Sequence, residues 1–171
     1  MNEPVEAVVA ILLHENDGSE LTTLLIHRAN RADDPWSGQI GLPGGRVSKS
    51  DPSTRAALER EVREEVGLDL TCEGEELGPL SISSPMRRLG MRVQPWIYAL
   101  HRVPQLKVGP EVQEAFWVSL SKLPSLRNTA EVEIRGTKYP VDAFLVNGQV
   151  VWGFTYRVLN ELLSLEGTGN P

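Results

Sequence analysis

The chain has 171 residues, enough to bury about two-thirds of its unfolded surface around one core, so one domain spanning 1–171 is expected. Acidic residues outnumber basic ones by 23 to 17, for a net charge of −6 and a pI near 5.1, the wrong sign for sequence-independent attraction to nucleic acid. No apolar run approaches the roughly 18 residues of a membrane span, the stretch MNEPVEAVVA is acidic rather than a signal, and Cys72 is the only cysteine. These features point away from nucleic-acid and membrane partners and toward a reducing, cytoplasmic setting, with Cys72 as a free core thiol.

Residues 5–13 and 21–29 are rich in Val, Ile, Leu and Thr and are split by a turn-forming cluster at 14–20, which predicts a hairpin. Their long apolar runs predict strands covered on both faces. A polar loop with Arg28, Arg31, Asp33 and Asp34 then leads past Trp36 to SGQIGLPGG at 37–45, where glycines let the backbone approach a ligand. Asp51 stands where an N-cap belongs, with Pro52 at the first helical position. Leu58, Val62 and Val66 form an apolar stripe and Gly67 a stop, so a helix is predicted over 52–66.

On that helix Glu61, Glu64 and Glu65 fall at i, i+3 and i+4, on one face. Glu61 and Glu65 repel at a cost of about 0.2–0.5 kcal/mol, and Glu64 and Glu65 sit at the negative end of the helix dipole. Stability does not select such an arrangement. A divalent cation with a taste for carboxylate oxygen, such as Mg²⁺, would resolve it; taken alone, the same face reads as a solvated surface partly neutralised by Arg60 and Arg63.

Beyond the helix, 68–72 and 80–82 read as strands, and 83–90 as a loop carrying Arg87 and Arg88, with Arg92 close behind. Residues 93–100 read as a strand with Trp96 and Tyr98 in the core. An acidic turn from Gly109 enters a strand ending near Leu120; its Glu111 and Glu114 are candidate loop carboxylates, each read first as surface-exposed and left outside the site. Strands are predicted at 132–139 and 143–151, turning around 138–142 and at Asn147-Gly148. An amphipathic helix at 154–165 closes the chain before Gly167.

The run R-E-V-R-E-E-V-G-L at 60–68 meets R-E-U-x-E-E-x-G-U (U, bulky aliphatic) in full, and the chain resembles the Nudix hydrolase family, whose box is G-x5-E-x7-R-E-U-x-E-E-x-G-U. Here Gly45 is followed by five residues, Asp51, and eight residues before Arg60. One residue is extra and Asp replaces Glu; both departures precede the glutamates, weakening any role for Asp51 and leaving the three-glutamate geometry untouched. The coenzyme A pyrophosphatase subgroup, which shares the extra residue, is similar upstream as well. Leu24, Leu25, Arg28 and Ala29 match one end of its L-L-T-x-R-(S/A)-x3-R-x3-G-x3-F-P-G-G pattern, and Gly38 through Gly45 match the other, with Leu42 for Phe. Asp34 stands at the second arginine, for which Arg31 is the nearest basic substitute. The closing W-G-F-T-Y-R-V-L at 152–159 is similar to that subgroup's W-G-x-T-x-R-V/I-L.

This resemblance implies an α/β/α sandwich, a mixed β-sheet flanked by helices, and Mg²⁺- or Mn²⁺-dependent hydrolysis of a small-molecule diphosphate. Coenzyme A is the first candidate, giving 3′,5′-ADP and 4′-phosphopantetheine. It implies Glu61, Glu65, Glu64 and the Gly44 carbonyl as metal ligands. Glu64 and Glu61 also carry the chemistry with Arg60, whose fork holds one of the carboxylates, and Arg28, Gly45 and Arg31 bind substrate. ADP-ribose, NADH and dinucleoside polyphosphates are rival substrates, and a nucleotide-binding regulatory module without hydrolysis is the rival class. A homodimer is left open.

Overall fold

The computed structural model describes residues 4–32, 38–85 and 90–167, the last two without their side chains. β1 (Ala7–Glu15) and β2 (Leu21–Arg28) form the expected antiparallel hairpin. Asn16 Oδ1 closes its turn by accepting from the Gly18 and Glu20 amides, each at 3.0 Å. Side chains alternate across β1: Val8, Ala10 and Leu12 enter one apolar cluster, Ile11 and Leu13 another. Both faces are therefore covered, as the long apolar runs require.

Five strands run β3-β2-β1-β6-β5, with β3 at Ile40–Gly41, β5 at Gly74–Pro79 and β6 at Val93–Leu100. β4 (Gly44–Arg46) adds to β1 and β7 (Val112–Ser119) to β2. β1 pairs parallel to β6 and antiparallel to β2 and β4, so the sheet is mixed. A 3₁₀ segment, Leu120–Leu126, leads to a three-stranded meander of β8 (Arg127–Ile134), β9 (Thr137–Val146) and β10 (Gln149–Trp152).

α1 (Thr54–Val66) packs Ala57, Leu58, Val62 and Val66 onto the Val8–Ala10–Leu12 face. On the other face α3 (Gly153–Gly167) packs Val158, Leu159 and Leu162 with Ile11, Leu25 and Phe144. A mixed sheet between helices is the architecture expected.

Four local expectations are corrected. The N-cap of α1 is Ser53, in extended conformation, whose side chain accepts from the Ala56 amide at 3.0 Å; Asp51 is engaged elsewhere, as described below. Residues 68–72 are not a strand: Asp69 accepts from the Thr71 amide and caps a short helix, α2 (Leu70–Glu73), leaving Cys72 exposed rather than in the core. The next strand is β5, a half-exposed edge drawn onto β6, and not 80–82. The β8–β9 turn falls at Arg135 and Gly136, both at positive φ, rather than around 138–142. Pro140 lies inside β9, at a point where β8 pairs on one side and β10, which pairs only Ala143–Val146, does not reach, the setting in which a strand tolerates proline. The second hairpin turns at Asn147 and Gly148 as expected, both at positive φ. Tyr98 is buried and Trp96 packs beside it.

Candidate active site

Two glycines position the carboxylates of α1. A Cβ on Gly44 would stand 2.1 Å from the Val8 carbonyl oxygen, and its φ of 150° suits glycine alone. The backbone of β4 therefore lies tight on β1, and the nearby Gly44 amide favours the charged form of Glu65. A Cβ on Gly45 would come within 2.5 Å of the Glu61 carboxyl carbon. The missing side chain at Gly45 is thus the space that the Glu61 carboxylate occupies.

Arg60 is clasped by Asp51 through two parallel bonds, Nε to Oδ1 and Nη2 to Oδ2, both 2.9 Å. Nη2 also donates to the Arg46 carbonyl at 3.2 Å, while Nη1 donates to Glu61 Oε1 at 3.1 Å and lies 3.5 Å from Glu64 Oε2. The fork expected on a glutamate thus closes on Asp51, and one remaining nitrogen spans Glu61 and Glu64. Asp51 Oδ2 also accepts from the Ser48 amide at 2.7 Å. The Arg60 bonds, with that of Ser48, hold the Asp51 carboxyl down at about 2, and Asp51 in turn raises Arg60 above its usual value. The departure from Glu to Asp in the box preserves a carboxylate that fixes Arg60.

Glu65 is 3% exposed. Burial, reinforced by the neighbouring Glu61 and Glu111 charges, pushes its carboxyl up to about 8 against the pull of Arg28 and the Gly44 amide. Its Oε2 is buried with no hydrogen-bond partner among the described residues, an arrangement that costs free energy unless something else supplies a partner. Burial also raises Glu61, opposed by Arg60.

Glu61, Glu65, Gly44, Gly45 and Arg28 line one cavity of about 330 Å³, together with Ile40, Leu42, Met91, Trp152 and Phe154. Arg60, Glu64 and Arg31 are not part of that lining. Glu64 is held at the rim with 59% of its side chain exposed. Arg31 instead makes an exposed ion pair with Glu111 at 3.3 Å. Glu111, read from the sequence as outside the site, does line the cavity. The β2–β7 register brings it there, pairing Arg28 with Val112, and the Ala29 amide donates to the Glu111 carbonyl at 3.0 Å. Glu114 stays exposed opposite His27. Arg92 has a buried, unpartnered Nε and lies off the cavity lining. Asp33, Asp34, Trp36, Arg87 and Arg88 lie outside the described residues.

Among the described residues no three His, Cys, Asp or Glu side chains already form a cage for a cation. The donor set nevertheless fits one: two adjacent carboxylates, one with an orphan oxygen, lie against a close backbone. Mg²⁺ and Mn²⁺ favour oxygen donors, and Mg²⁺ in particular uses few protein carboxylates, keeping waters and taking substrate phosphates.

The profile of the NUDIX domain matches residues 4–138. A peroxisomal coenzyme A diphosphatase of Caenorhabditis elegans, ndx-8, is 33% identical over 120 residues, 68% of this chain and 50% of that protein. The mitochondrial Nudix hydrolase 15 of Arabidopsis thaliana is 28% identical over 166 residues, 92% of this chain and 57% of that protein. The chain thus spans about half the length of these relatives. Among solved structures, the Nudix hydrolase RenU of M. Smegmatis superposes with a TM-score of 0.66 at 15% identity, covering 97% of this chain and 88% of that one. The MutT protein of Methanosarcina mazei Go1 superposes with a TM-score of 0.59 at 22% identity, covering 98% of each; at these identities the likeness is one of fold. Among the described residues no helix is long and apolar enough to cross a membrane. With the domain matched over well more than half of this chain and Gly45, Glu61 and Glu65 of the box lining one cavity, this chain belongs to the Nudix family.

Proposed function

We propose that the protein hydrolyses a diphosphate joining a nucleoside to another group, with Mg²⁺ or Mn²⁺, and that coenzyme A is its substrate. The observation that carries this reading is the buried Glu65 carboxyl with an unpartnered oxygen beside Glu61, a costly arrangement unless a cation completes it. Support for coenzyme A comes from the relative named a coenzyme A diphosphatase and from the subgroup patterns at 24–45 and 152–159.

Glu61, Glu65 and the Gly44 carbonyl would hold the cation. Bound there, it neutralises phosphoryl charge and makes a coordinated water acidic. Arg60, fixed by Asp51, holds the Glu61 carboxylate against Gly45 and restrains Glu64 at the rim, where Glu64 orients the attacking water or adds a ligand. Arg28 sets a positive charge beside Glu65 and meets a phosphate entering the cavity. The exposed, unpaired Cys72 suits a reducing compartment such as the cytoplasm.

The test is a panel of coenzyme A, dephospho-coenzyme A, ADP-ribose, NADH and a dinucleoside polyphosphate, each with Mg²⁺ or Mn²⁺. Coenzyme A is expected to give the highest kcat/KM, with 3′,5′-ADP and 4′-phosphopantetheine as products. Faster cleavage of ADP-ribose or NADH removes the coenzyme A assignment, and binding without turnover of any of them removes hydrolysis.

A further inference from the structure

The same cavity takes part of its lining from the start of α3. Gly153, Phe154 and Thr155, its first three residues, line the cavity. An α-helix leaves its first amides without intrahelical partners and carries about half a positive charge at that end. α3 has no acidic residue in its first turn, Trp152 before it has no side-chain oxygen to act as a cap, and the side-chain hydrogen bonds include none accepted from these amides. Thr155 gives the independent observation. It is only 7% exposed and lines the cavity, and among the described residues its hydroxyl has no hydrogen-bond partner. The hydroxyl of this otherwise buried side chain is thus open to the cavity and available to a ligand.

Gly41 joins this helix end to Arg28. A Cβ on Gly41 would stand 3.8 Å from Thr155 Oγ1 and 3.9 Å from Arg28 Nε, so the hydroxyl and the guanidinium border one small space. Amide N–H groups, a hydroxyl and a guanidinium are donors suited to one class of ligand, an oxyanion of phosphate geometry.

We propose that the amino end of α3, the Thr155 hydroxyl and Arg28 form a phosphate subsite around Gly41, in the same cavity as Glu61 and Glu65. Its identification with a phosphoryl group of the substrate rests on the hydrolase reading above. The subsite acts in binding: it holds a phosphoryl group by its oxygens.

The experiment is a titration of the isotope-labelled full chain with inorganic phosphate in the presence of a chelator, followed through the backbone amides of Gly153, Phe154 and Thr155. Saturable shifts there are expected. Thr155→Val removes the donor and keeps the shape, and Gly41→Ala puts a methyl into the flanked space at ordinary van der Waals distances. Each is expected to weaken phosphate binding and raise KM for the cleaved substrate by about three- to tenfold, with kcat changing less and the melting temperature within about 2 °C. Thr155→Ser, which keeps the donor, is expected to bind phosphate like the unaltered chain. Amides of α3 that ignore phosphate overturn the proposal, whatever the variants do, and so does tight binding by both Val and Ala variants. Shifts at α3 with no hydrolysis of any diphosphate leave the subsite standing and remove the hydrolase reading; turnover without shifts does the reverse.

Discussion

The two long helices present opposite ends, and opposite kinds of group, to the same cavity. α1 is closed at both termini within the chain: Ser53 takes the Ala56 amide, and the left-handed Gly67 returns its N–H to the Arg63 carbonyl at 3.0 Å. What α1 contributes is side chains, carboxylates crowded into its last turns where its own dipole opposes them. α3 brings backbone, an amino end with no side-chain cap among the described residues and a hydroxyl in its first turn. A capped helix can carry unfavourable charges because its ends are already satisfied, whereas an uncapped end keeps its binding capacity for a ligand. The cavity between them is polarised by construction.

The largest effect should come from breaking the α1 side. Glu65→Gln is expected to lower turnover by more than the roughly 10–100-fold seen for residues that only orient a ligand. Its melting temperature in chelator should equal or exceed that of the unaltered chain, since the amide imitates the protonated carboxyl. Near-normal rates would show that Glu65 is misassigned. Next comes Asp51→Asn, which weakens the fork on Arg60 and so loosens Glu61. A loss of about 10–100-fold, with a higher metal concentration needed for half-maximal rate, is expected; an unchanged metal requirement would reduce Asp51 to a loop brace.

The pH dependence of stability sharpens the comparison without touching turnover. Glu65 holds its proton up to about 8 in the folded chain, whereas the unfolded chain releases it near the ordinary 4.5. The folded state therefore binds more protons in that window, and stability in chelator falls as pH rises from about 5 to 8. Glu65→Gln should flatten that slope in thermal melts. Asp51 has the opposite sign: its carboxyl, held at about 2 against an ordinary 3.8, contributes stability that is full above pH 4 and lost as pH falls toward 2. Asp51→Asn should remove this acid limb and leave the other. The smallest effect belongs to the α1 cap. Ser53→Ala is expected to cost about 1 kcal/mol, a few degrees of melting temperature, and no turnover, because the cap is about two turns from Glu61.

The box helix was legible because its signals are local: a motif, an apolar stripe, a terminal glycine. The first hairpin and β6 were legible for the same reason. What the sequence hid was settled by distant partners. Asp51 looks like a cap until Arg60 takes its carboxylate, and Ser53 then caps instead. The stretch GEELGP has no strand character of its own and becomes β5 because β6 offers an edge. Glu111 looks like any exposed glutamate, and only the register of β7 on β2 sets it beside Arg28. α2 was a missed local signal, since Asp69 ahead of Leu70 is a cap that a closer reading of the turn would have found. Thr155 carried a pattern without a physical role until the fold turned the start of α3 toward the carboxylates.

The parallel pairing of β1 with β6 joins Ala7 to Val93 and Leu13 to Ala99, and this has a consequence for how the protein is made. At roughly 5–20 residues per second, several seconds pass between the appearance of the first strand on the ribosome and that of its partner. Every box residue emerges within that interval, yet the strand beneath them still has one long apolar edge open. A nascent chain stopped before Val93 is expected to hold all three glutamates without the closed sheet beneath them, and to expose an edge of the kind that recruits other chains. The proposed cation binding should therefore arrive late and abruptly, when β6 docks, rather than with the synthesis of the glutamates.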